Sequence, residues 1–193
     1  MPPEEMHITG ERIRSVLRQT PPEMAAGETR FRRAAVIVPI ILRDEPVLLF
    51  TRRTEHLPSH AGQICFPGGS YHASDETLIR TALRELQEEI GIPAGAVTIA
   101  GFLDLYETLN SGFRILPVVG FLDANCQLKI NEYEVAEVFE APLSFVIDPD
   151  NQALKYAERG GVMREFYSIQ FGRHEIWGAT AAMIVNLSER LRA

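Results

Sequence analysis

The feature that most constrains this 193-residue sequence is a short acidic segment near its middle. Residues 84–92 read Arg-Glu-Leu-Gln-Glu-Glu-Ile-Gly-Ile, and on a helix the spacing i, i+3, i+4 puts Glu85, Glu88 and Glu89 on one face. Like charges at this spacing repel one another and destabilise a helix unless a cation compensates them. Clustered carboxylate oxygens are ligands that suit Mg²⁺ or Mn²⁺. The spacing alone therefore leaves two interpretations open, a solvated acidic face and a site for a divalent ion.

The other side of this helix is predicted to face a core. Apolar residues recur at helical spacing roughly opposite the carboxylates, at Leu78, Ile79, Leu83, Leu86 and Ile90. Gly91 stands where a C-terminal cap glycine is expected, and Pro93 prevents the helix from resuming. Ser74 and Asp75 are the candidate N-caps. The carboxylates thus belong to a delimited helix, which follows a glycine turn at residues 66–69.

Strand-like runs on both sides of the helix predict a mixed sheet. These β-rich runs are residues 34–41, 47–51, 97–107, 113–122, 135–146, 164–171 and 174–177. The other predicted elements are helices at 4–18 and 179–191, a linker at 23–30 and an exposed loop at 149–161. Strands and helices do not alternate regularly, which favours an α/β fold of the mixed α+β type. We expect one domain over residues 1–193, with an N-terminal helix and linker over 1–30 and a core over 33–192.

Composition and charge bound the class of function. Hydrophobic residues make up 46% of the sequence and charged residues 23%, and no apolar run approaches the roughly 20 residues that span a bilayer. The net charge of −7 argues against a nucleic-acid polymer as partner. Cys65 and Cys126 give neither a disulfide framework nor a metal-ligand spacing. With an acidic N-terminus unlike a signal peptide, these features predict a cytoplasmic protein that does not bind membranes.

The acidic segment resembles the signature of Nudix hydrolases. That signature combines a glycine, a later glutamate and the run Arg-Glu-U-x-Glu-Glu-x-Gly-U, where U is aliphatic, and residues 84–92 match every specified position of the run. Glu76 stands eight residues before the run, as the signature requires. The first glycine differs, because the signature would place it at Ser70 and this chain has Gly-Gly at 68–69. The resemblance implies a Nudix-like α/β/α sandwich.

A second stretch, residues 48–69, is similar to an additional motif of the coenzyme A pyrophosphatase branch of that family. The matching positions are Thr51, Arg53, Leu57, His60, Gly62, Gln63 and 66–69. The longer glycine turn is also typical of this branch, and shorter matches extend the resemblance over nearly the whole chain. The resemblance implies that Arg53, Thr51, His60 and Gly68 bind substrate, with Arg53 contacting substrate phosphates.

For the acidic helix the resemblance implies a metal site. Glu85, Glu88 and Glu89 are its expected ligands, with a backbone carbonyl oxygen at Gly69 as a further one. Glu85 and Glu88 are also the expected catalytic carboxylates, and Glu85 or a neighbouring acid would deprotonate water. Arg84, counted with the catalytic residues, is expected to pair with one of these carboxylates and fix its conformation.

Nudix enzymes often add an acidic ligand from a later segment, and Glu134 and Glu137 are the candidates here, with a solvated loop edge as the alternative. The expected reaction is hydrolysis of coenzyme A or its thioesters to 3′,5′-ADP and a 4′-phosphopantetheine product, with Mg²⁺ or Mn²⁺. One alternative keeps the reaction and changes the substrate to ADP-ribose, NADH or an oxidised nucleotide. Another is a nucleotide-sensing module without catalysis, which the intact carboxylates oppose. Family members are often dimers, so a homodimer is an expectation by analogy.

Overall fold

The structure is a computed structural model that describes residues 8–24, 30–108 and 111–193. Its helices are α1 (Gly10–Val16), α2 (Leu78–Ile90), α3 (Leu143–Ile147) and α4 (Ala179–Arg192). Its strands are β1 (Arg32–Ile41), β2 (Val47–Arg53), β3 (Ile64–Cys65), β4 (Gly68–Ser70), β5 (Val97–Phe102), β6 (Tyr106–Glu107), β7 (Phe113–Leu122), β8 (Val135–Pro142), β9 (Gln152–Arg159), β10 (Val162–Phe171) and β11 (His174–Trp177). Over the described ranges, no helix has the length and apolarity that a membrane crossing needs.

A large mixed sheet lies at the centre of the molecule. β1 and β7 run parallel, paired over all ten residues of each strand, and the other pairings in this sheet are antiparallel. The strand order is β3-β2-β1-β7-β5, with β4 also pairing with β1, β6 with β7 and β8 with β2. β1 and β7 are rich in β-branched and buried apolar residues, as expected for strands that are covered on both faces.

Alternation along β1 divides the core between the two faces of this sheet. Ile37 packs on the same side as Leu86 and Ile90 of α2, whereas Val38 and Ile40 pack with residues of α1, α3 and α4. All five of these side chains are at most 1% exposed. The helices therefore cover both faces, and the mixed-sheet, α/β/α class expected from the sequence is confirmed.

A second, three-stranded antiparallel sheet joins the helices on the α4 side. Its strand order is β11-β10-β9, and β10 pairs along its whole length with its two neighbours. Ile169 and Ile176 are fully buried in the same apolar cluster as Phe50 of β2 and Leu187 of α4. This sheet thus packs on the large one and is continuous with its core.

Several boundaries differ from the sequence expectations. The predicted strand 135–146 ends at Pro142 and continues as α3, and the exposed loop predicted at 149–161 is wrong because β9 occupies most of it. The predicted strand 97–107 is split into β5 and β6. Of the glycine turn expected at 66–69, residues 66–67 connect β3 to β4, whereas residues 68–69 belong to β4 itself. Of the predicted helix 4–18 the structure shows α1, since residues 1–7 lie outside the described ranges, as do residues 25–29 of the predicted linker.

Candidate active site

The acidic helix α2 is fixed at both ends and along its buried side. At its start, the backbone N–H of Arg80 donates a hydrogen bond of 3.2 Å to the hydroxyl of Thr77. At its end, Gly91 adopts a left-handed conformation with φ of 77°. Leu86 and Ile90 are fully buried between these ends. These anchors hold the three signature glutamates beside β4.

Arg84 gathers carboxylates from two elements. Its Nη1 atom lies 2.8 Å from Glu85 Oε1 and 2.8 Å from Glu88 Oε2. Its Nε and Nη2 atoms donate to the two carboxylate oxygens of Asp75, at 2.8 Å and 3.1 Å. The pairing expected for Arg84 is therefore present, and it involves two signature carboxylates and one more acid.

The further acid is Asp75, which the sequence pattern predicted to be a candidate N-cap. The N-cap of α2 is Thr77, not Ser74 or Asp75. Asp75 is buried just before the helix and accepts hydrogen bonds from the Thr81 hydroxyl at 2.8 Å and from a backbone N–H at 3.0 Å. The Arg84 guanidinium holds the pKa of Asp75 well below its usual range. Asp75 is thus the fixed charge that orients Arg84.

Glu89 is enclosed between α2 and the sheet and is only 2% exposed. Burial, followed by the negative charge of Glu85, raises the pKa of Glu89 to about 8, against the lowering effects of Arg53 and of the Gly68 backbone N–H. Its Oε1 atom lies 4.0 Å from Arg53 Nη1, and its Oε2 atom has no hydrogen-bond partner among the described residues. A buried carboxylate in this condition is costly without further positive charge.

Strand β4 brings its backbone against these carboxylates. Gly69 pairs with Ala35 of β1, and a Cβ atom on Gly69 would collide with the carboxylate of Glu85. A side chain at this position would therefore require the Glu85 carboxylate to move away from the strand. The candidate backbone ligand Gly69 therefore lies directly beside a candidate carboxylate ligand.

The donor set fits a divalent ion. Glu85, Glu88 and Glu89 offer oxygen ligands alone, and the unpartnered Oε2 of Glu89 marks where positive charge is missing. Burial raises the pKa of Glu85, against the lowering effect of Arg84. Among the described residues, no three His, Cys, Asp or Glu side chains already surround a common point as metal ligands would. Arg84 contacts Oε1 of Glu85 and Oε2 of Glu88, so each of these carboxylates could offer its other oxygen to an ion.

Arg53 and Thr51, both expected to bind substrate, differ in their access to it. Arg53 lines a cleft beside the carboxylates, and its Nε atom is buried without a hydrogen-bond partner among the described residues. Thr51 is fully buried, and its hydroxyl donates to the carbonyl oxygen of Cys65 at 3.3 Å. The structure brings Arg53 to the cleft but not Thr51, because the Thr51 side chain is enclosed beside β3. Burial raises the pKa of the Cys65 thiol to about 11, which leaves it protonated and a poor nucleophile.

The loop between β2 and β3 carries His60, another residue expected to bind substrate. His60 has a φ of 56°, which is uncommon for a residue with a side chain, and its Nδ1 atom lies 2.7 Å from Gln63 Oε1. Both residues line the cleft, as does Gly68. The backbone N–H of Thr54, at the start of this loop, donates to the carbonyl oxygen of Glu134 at 3.0 Å. The upstream motif is thus held beside the later acidic segment.

The structure separates the two later acidic candidates. The charge of Glu134 raises the pKa of Glu85 and of Glu89, so Glu134 lies near the cluster. Glu137 is not brought to it, because Arg173 and Arg52 each bind one of its carboxylate oxygens. Its partners are Arg173 at 2.6 Å, Arg52 at 3.2 Å and His174 at 3.2 Å. Arg173, above all, lowers the pKa of Glu137.

A family model described as the NUDIX domain matches residues 30–144. This stretch contains the acidic helix, the glycine strand and the upstream motif, and it covers more than half of the chain. The chain belongs to the Nudix family. Nudix enzymes generally use divalent metal ions, which agrees with the donor set described above.

Similar Nudix relatives carry the same general description. The chain is 41% identical over 170 residues to an uncharacterised Nudix hydrolase, NudL, of Yersinia enterocolitica, covering 88% of this chain and 87% of that protein. It is 42% identical over 160 residues to the NudL protein of Yersinia pestis, covering 83% of this chain and 80% of that protein.

Solved Nudix structures share the fold. A MutT/nudix family protein from Enterococcus faecalis superposes with a TM-score of 0.52 at 14% identity, over 90% of this chain and 65% of that one. A Nudix hydrolase from Alicyclobacillus acidocaldarius gives a TM-score of 0.50 at 18% identity, over 63% of this chain and 83% of that one. At these identities the likeness shows the fold alone.

The cleft beside the Nudix carboxylates has a volume of about 830 Å³, and part of its lining comes from beyond the matched domain. Arg164, Phe166 and Trp177 of the second sheet line it, together with the start of α4. The sequence motifs did not single out Arg164 or Phe166. The signal that could have found them is the alternation of β10, which puts residues 164 and 166 on one face.

Proposed function

We propose that this protein hydrolyses the diphosphate bond of coenzyme A or an acyl-coenzyme A, releasing 3′,5′-ADP and 4′-phosphopantetheine or its acyl form. The observation that carries the proposal is the position of the upstream motif. Arg53, His60 and Gln63 of that motif line the same cleft as Gly68 and Gly69, which lie against the carboxylates of α2. The proximity of these motif residues to the carboxylates of α2 supports a coenzyme A compound as the substrate.

The carboxylates of α2 would hold Mg²⁺ or Mn²⁺. Glu85, Glu88 and Glu89 supply the charge for it, with Gly69 beside them and Glu134 nearby. A divalent ion there would neutralise diphosphate oxygens and acidify water. Without that charge, the repulsion between a diphosphate and this acidic cluster would oppose binding.

The chain's own residues divide the remaining work. Arg84, anchored by Asp75, sets the orientation of Glu85 and Glu88. Glu85, which lies against the backbone of Gly69, would accept the proton of the attacking water. Arg53 offers a guanidinium to the substrate at the cleft wall next to Glu89.

The proposed partner is a small anionic molecule. A net charge of −7 opposes binding of a nucleic-acid polymer, and a cytoplasmic location would supply coenzyme A. We propose a homodimer by analogy with the family, and light scattering after size-exclusion chromatography would test it.

The deciding experiment is a substrate panel. The protein is incubated with Mg²⁺ or Mn²⁺ and coenzyme A, acetyl-coenzyme A, ADP-ribose, NADH or 8-oxo-dGTP, and products are identified by mass, with Glu88→Gln as the inactive control. The coenzyme A compounds should give the highest kcat/KM and 3′,5′-ADP as product. Cleavage of ADP-ribose faster by about tenfold or more would overturn the coenzyme A assignment and keep the diphosphatase one. Cleavage of no compound with either metal would favour a nucleotide sensor.

A further inference from the structure

Unsatisfied buried polar atoms single out three residues around the cleft. Among the described residues, the buried side-chain nitrogen and oxygen atoms without a hydrogen-bond partner are Arg53 Nε, Glu89 Oε2 and Arg164 Nε. Folded proteins rarely leave such atoms unpaired, so each one calls for a ligand or an explanation. Glu89 and Arg53 belong to the carboxylate end of the site. Arg164 has no place in the reaction described above, although it lines the same cleft.

The neighbouring carboxylates do not provide Arg164 with a partner. Within the described ranges Arg164 forms no ion pair or side-chain hydrogen bond. Two cleft-lining carboxylates already have cationic partners: Glu175 lies 2.7 Å from Lys155 Nζ, and Glu107 lies 2.6 Å from Arg114 Nη2. A third cleft-lining carboxylate, Glu165, is exposed and lies on the opposite face of β10 from Arg164 by strand alternation. The guanidinium of Arg164 is therefore available to an anion in the cleft.

Aromatic side chains lie next to this guanidinium. Phe166 follows Arg164 by two residues on β10, so both lie on the same face of the second sheet. Trp177 of β11 packs edge-on against Phe166, with ring centroids 5.9 Å apart and planes at 69°. All three residues line the cleft. Aromatic faces bind nucleobases in a sequence-tolerant way, and a guanidinium beside them binds a phosphate.

We propose that Arg164 binds the 3′-phosphate of the substrate ribose and that Phe166 and Trp177 form the wall against its base. The inference rests on the proposed function, since coenzyme A carries both a diphosphate and a separate 3′-phosphate. The two guanidinium groups match those two anions. Arg53, beside Glu89, faces the diphosphate, and Arg164, beside the aromatic pair, faces the 3′-phosphate.

The kinetic test compares coenzyme A with dephospho-coenzyme A, which lacks only the 3′-phosphate. Arg164→Met should raise KM for coenzyme A by on the order of 10- to 100-fold, with kcat much less affected. It should leave KM for dephospho-coenzyme A within about twofold of the wild-type value. Arg164→Lys should keep part of the preference for coenzyme A, because it retains the charge and loses the planar fork. Equal losses on both substrates, or none on either, would overturn the proposal.

Arg192→Met is the matched control. It removes the same charge from an exposed position in the last turn of α4, where the guanidinium donates to the Ser188 carbonyl oxygen. Its KM for both substrates should equal that of the wild type. Melting temperatures of all variants check that each is folded.

A binding measurement separates this inference from the proposed function. In calorimetry without metal, the wild type should bind adenosine 3′,5′-bisphosphate more tightly than 5′-AMP, and Arg164→Met should abolish that preference. If the wild type cleaves no coenzyme A compound and still shows this Arg164-dependent preference, the proposed function fails and the subsite stands. If the wild type cleaves coenzyme A and the preference persists in Arg164→Met, the function stands and the subsite fails. A wild type without any preference overturns the subsite.

Discussion

Glu89 and Arg53 show how two side chains can be close without satisfying each other. Their nearest charged atoms are 4.0 Å apart, which is longer than a hydrogen-bonded ion pair, and each side chain keeps one buried polar atom without a partner among the described residues. Burial removes the solvent that would otherwise compensate these charges, so both side chains are incompletely compensated unless ligands bind to them. A cation bound to Glu89 and a phosphate bound to Arg53 would supply the missing partners.

Replacing the signature carboxylates should lower activity without lowering thermal stability. Glu88→Gln and Glu89→Gln should each abolish most turnover at saturating Mg²⁺, because a neutral amide cannot neutralise the ion. In EDTA near pH 7, Glu89→Gln should melt at or above the wild-type temperature, because burial raises the pKa of Glu89 and this carboxyl therefore destabilises the folded state above its unfolded-state pKa. Glu88, with a side chain 53% exposed, should change the melting temperature little when replaced. Near-normal turnover in both variants would show that neither carboxylate is needed for the reaction.

Arg53→Met is expected to act on both coenzyme A and dephospho-coenzyme A. Arg53 lies beside Glu89, and in the proposed function it binds the diphosphate, which the two compounds share. KM should rise on the order of 10- to 100-fold for each, with kcat less affected. The comparison with Arg164→Met is decisive, because a loss confined to coenzyme A in the Arg53 variant would exchange the proposed roles of the two arginines.

Asp75 should stabilise the protein in a pH-dependent way. Its pKa is depressed in the folded state, chiefly by its hydrogen bonds with Arg84, so its contribution is present above the unfolded-state pKa of about 3.9 and is lost as the pH falls below it. Asp75→Asn should therefore melt below the wild type at pH 7, and the difference should shrink below about pH 4. Its kcat should also fall, since Arg84 loses its anchor. A difference in melting temperature that is independent of pH would contradict this account.

At the scale of elements, the local sequence pattern predicted the helix α2 and its C-terminal end correctly but assigned the wrong N-cap. The apolar stripe and Gly91 gave the helix and its end, because both depend on short-range geometry. The N-cap was misassigned because Ser, Thr and Asp are equivalent as local caps. Asp75 is instead engaged by Arg84, nine residues further along the chain, a contact that only the folded helix creates.

The C-terminal end of α2 offers a matched pair of glycine substitutions. Gly91 has a positive φ, and a Cβ there would meet Lys129 at 2.6 Å, whereas a Cβ on Gly95 would meet nothing within 4 Å. Gly91→Ala should destabilise the protein by about 1 kcal/mol or more, and Gly95→Ala should be neutral or slightly stabilising. Urea unfolding of both variants measures this. Equal effects of the two changes would show that neither φ nor the Lys129 contact constrains the helix end.

The strands that the sequence missed lack a strong local pattern. The segment that forms β9 is largely exposed, Leu154 and Tyr156 included, and it is defined by its pairing with β10, which sequence periodicity does not reveal. Residues 143–147 are a short apolar run, for which helix and strand cannot be distinguished by periodicity. The structure resolves that run as α3, because its residues Leu143, Val146 and Ile147 are buried in helical spacing.

For the whole molecule, the site combines segments that different signals could or could not predict. The upstream motif and the acidic helix were visible as motifs, whereas the cleft wall formed by β10 and β11 depends on how the second sheet docks. Glu137 belongs to that docking. It joins Arg52 of the large sheet to Arg173 and His174 of the second sheet, and the His174 ring stacks 3.9 Å from that of Phe139. The sequence identified Glu137 as a candidate acidic ligand, but it could not reveal that this residue links the two sheets.

Metal binding should raise the melting temperature of the whole protein. The size of this rise in variants of Glu134 and Glu137 should show which of the two is a metal ligand. An ion that binds the folded state alone stabilises it by RT ln(1 + [L]/Kd), about 2.7 kcal/mol at 100 times Kd, or a rise in melting temperature of roughly 5–10 °C for a chain of this size. Mg²⁺ or Mn²⁺ should raise the wild-type melting temperature, Glu89→Gln should abolish the rise, and Glu134→Gln should reduce it. Glu137→Gln should lower the starting temperature, by loosening the second sheet, and keep the full rise. If Glu137→Gln lost the rise and Glu134→Gln kept it, the ligand set would need Glu137 in place of Glu134.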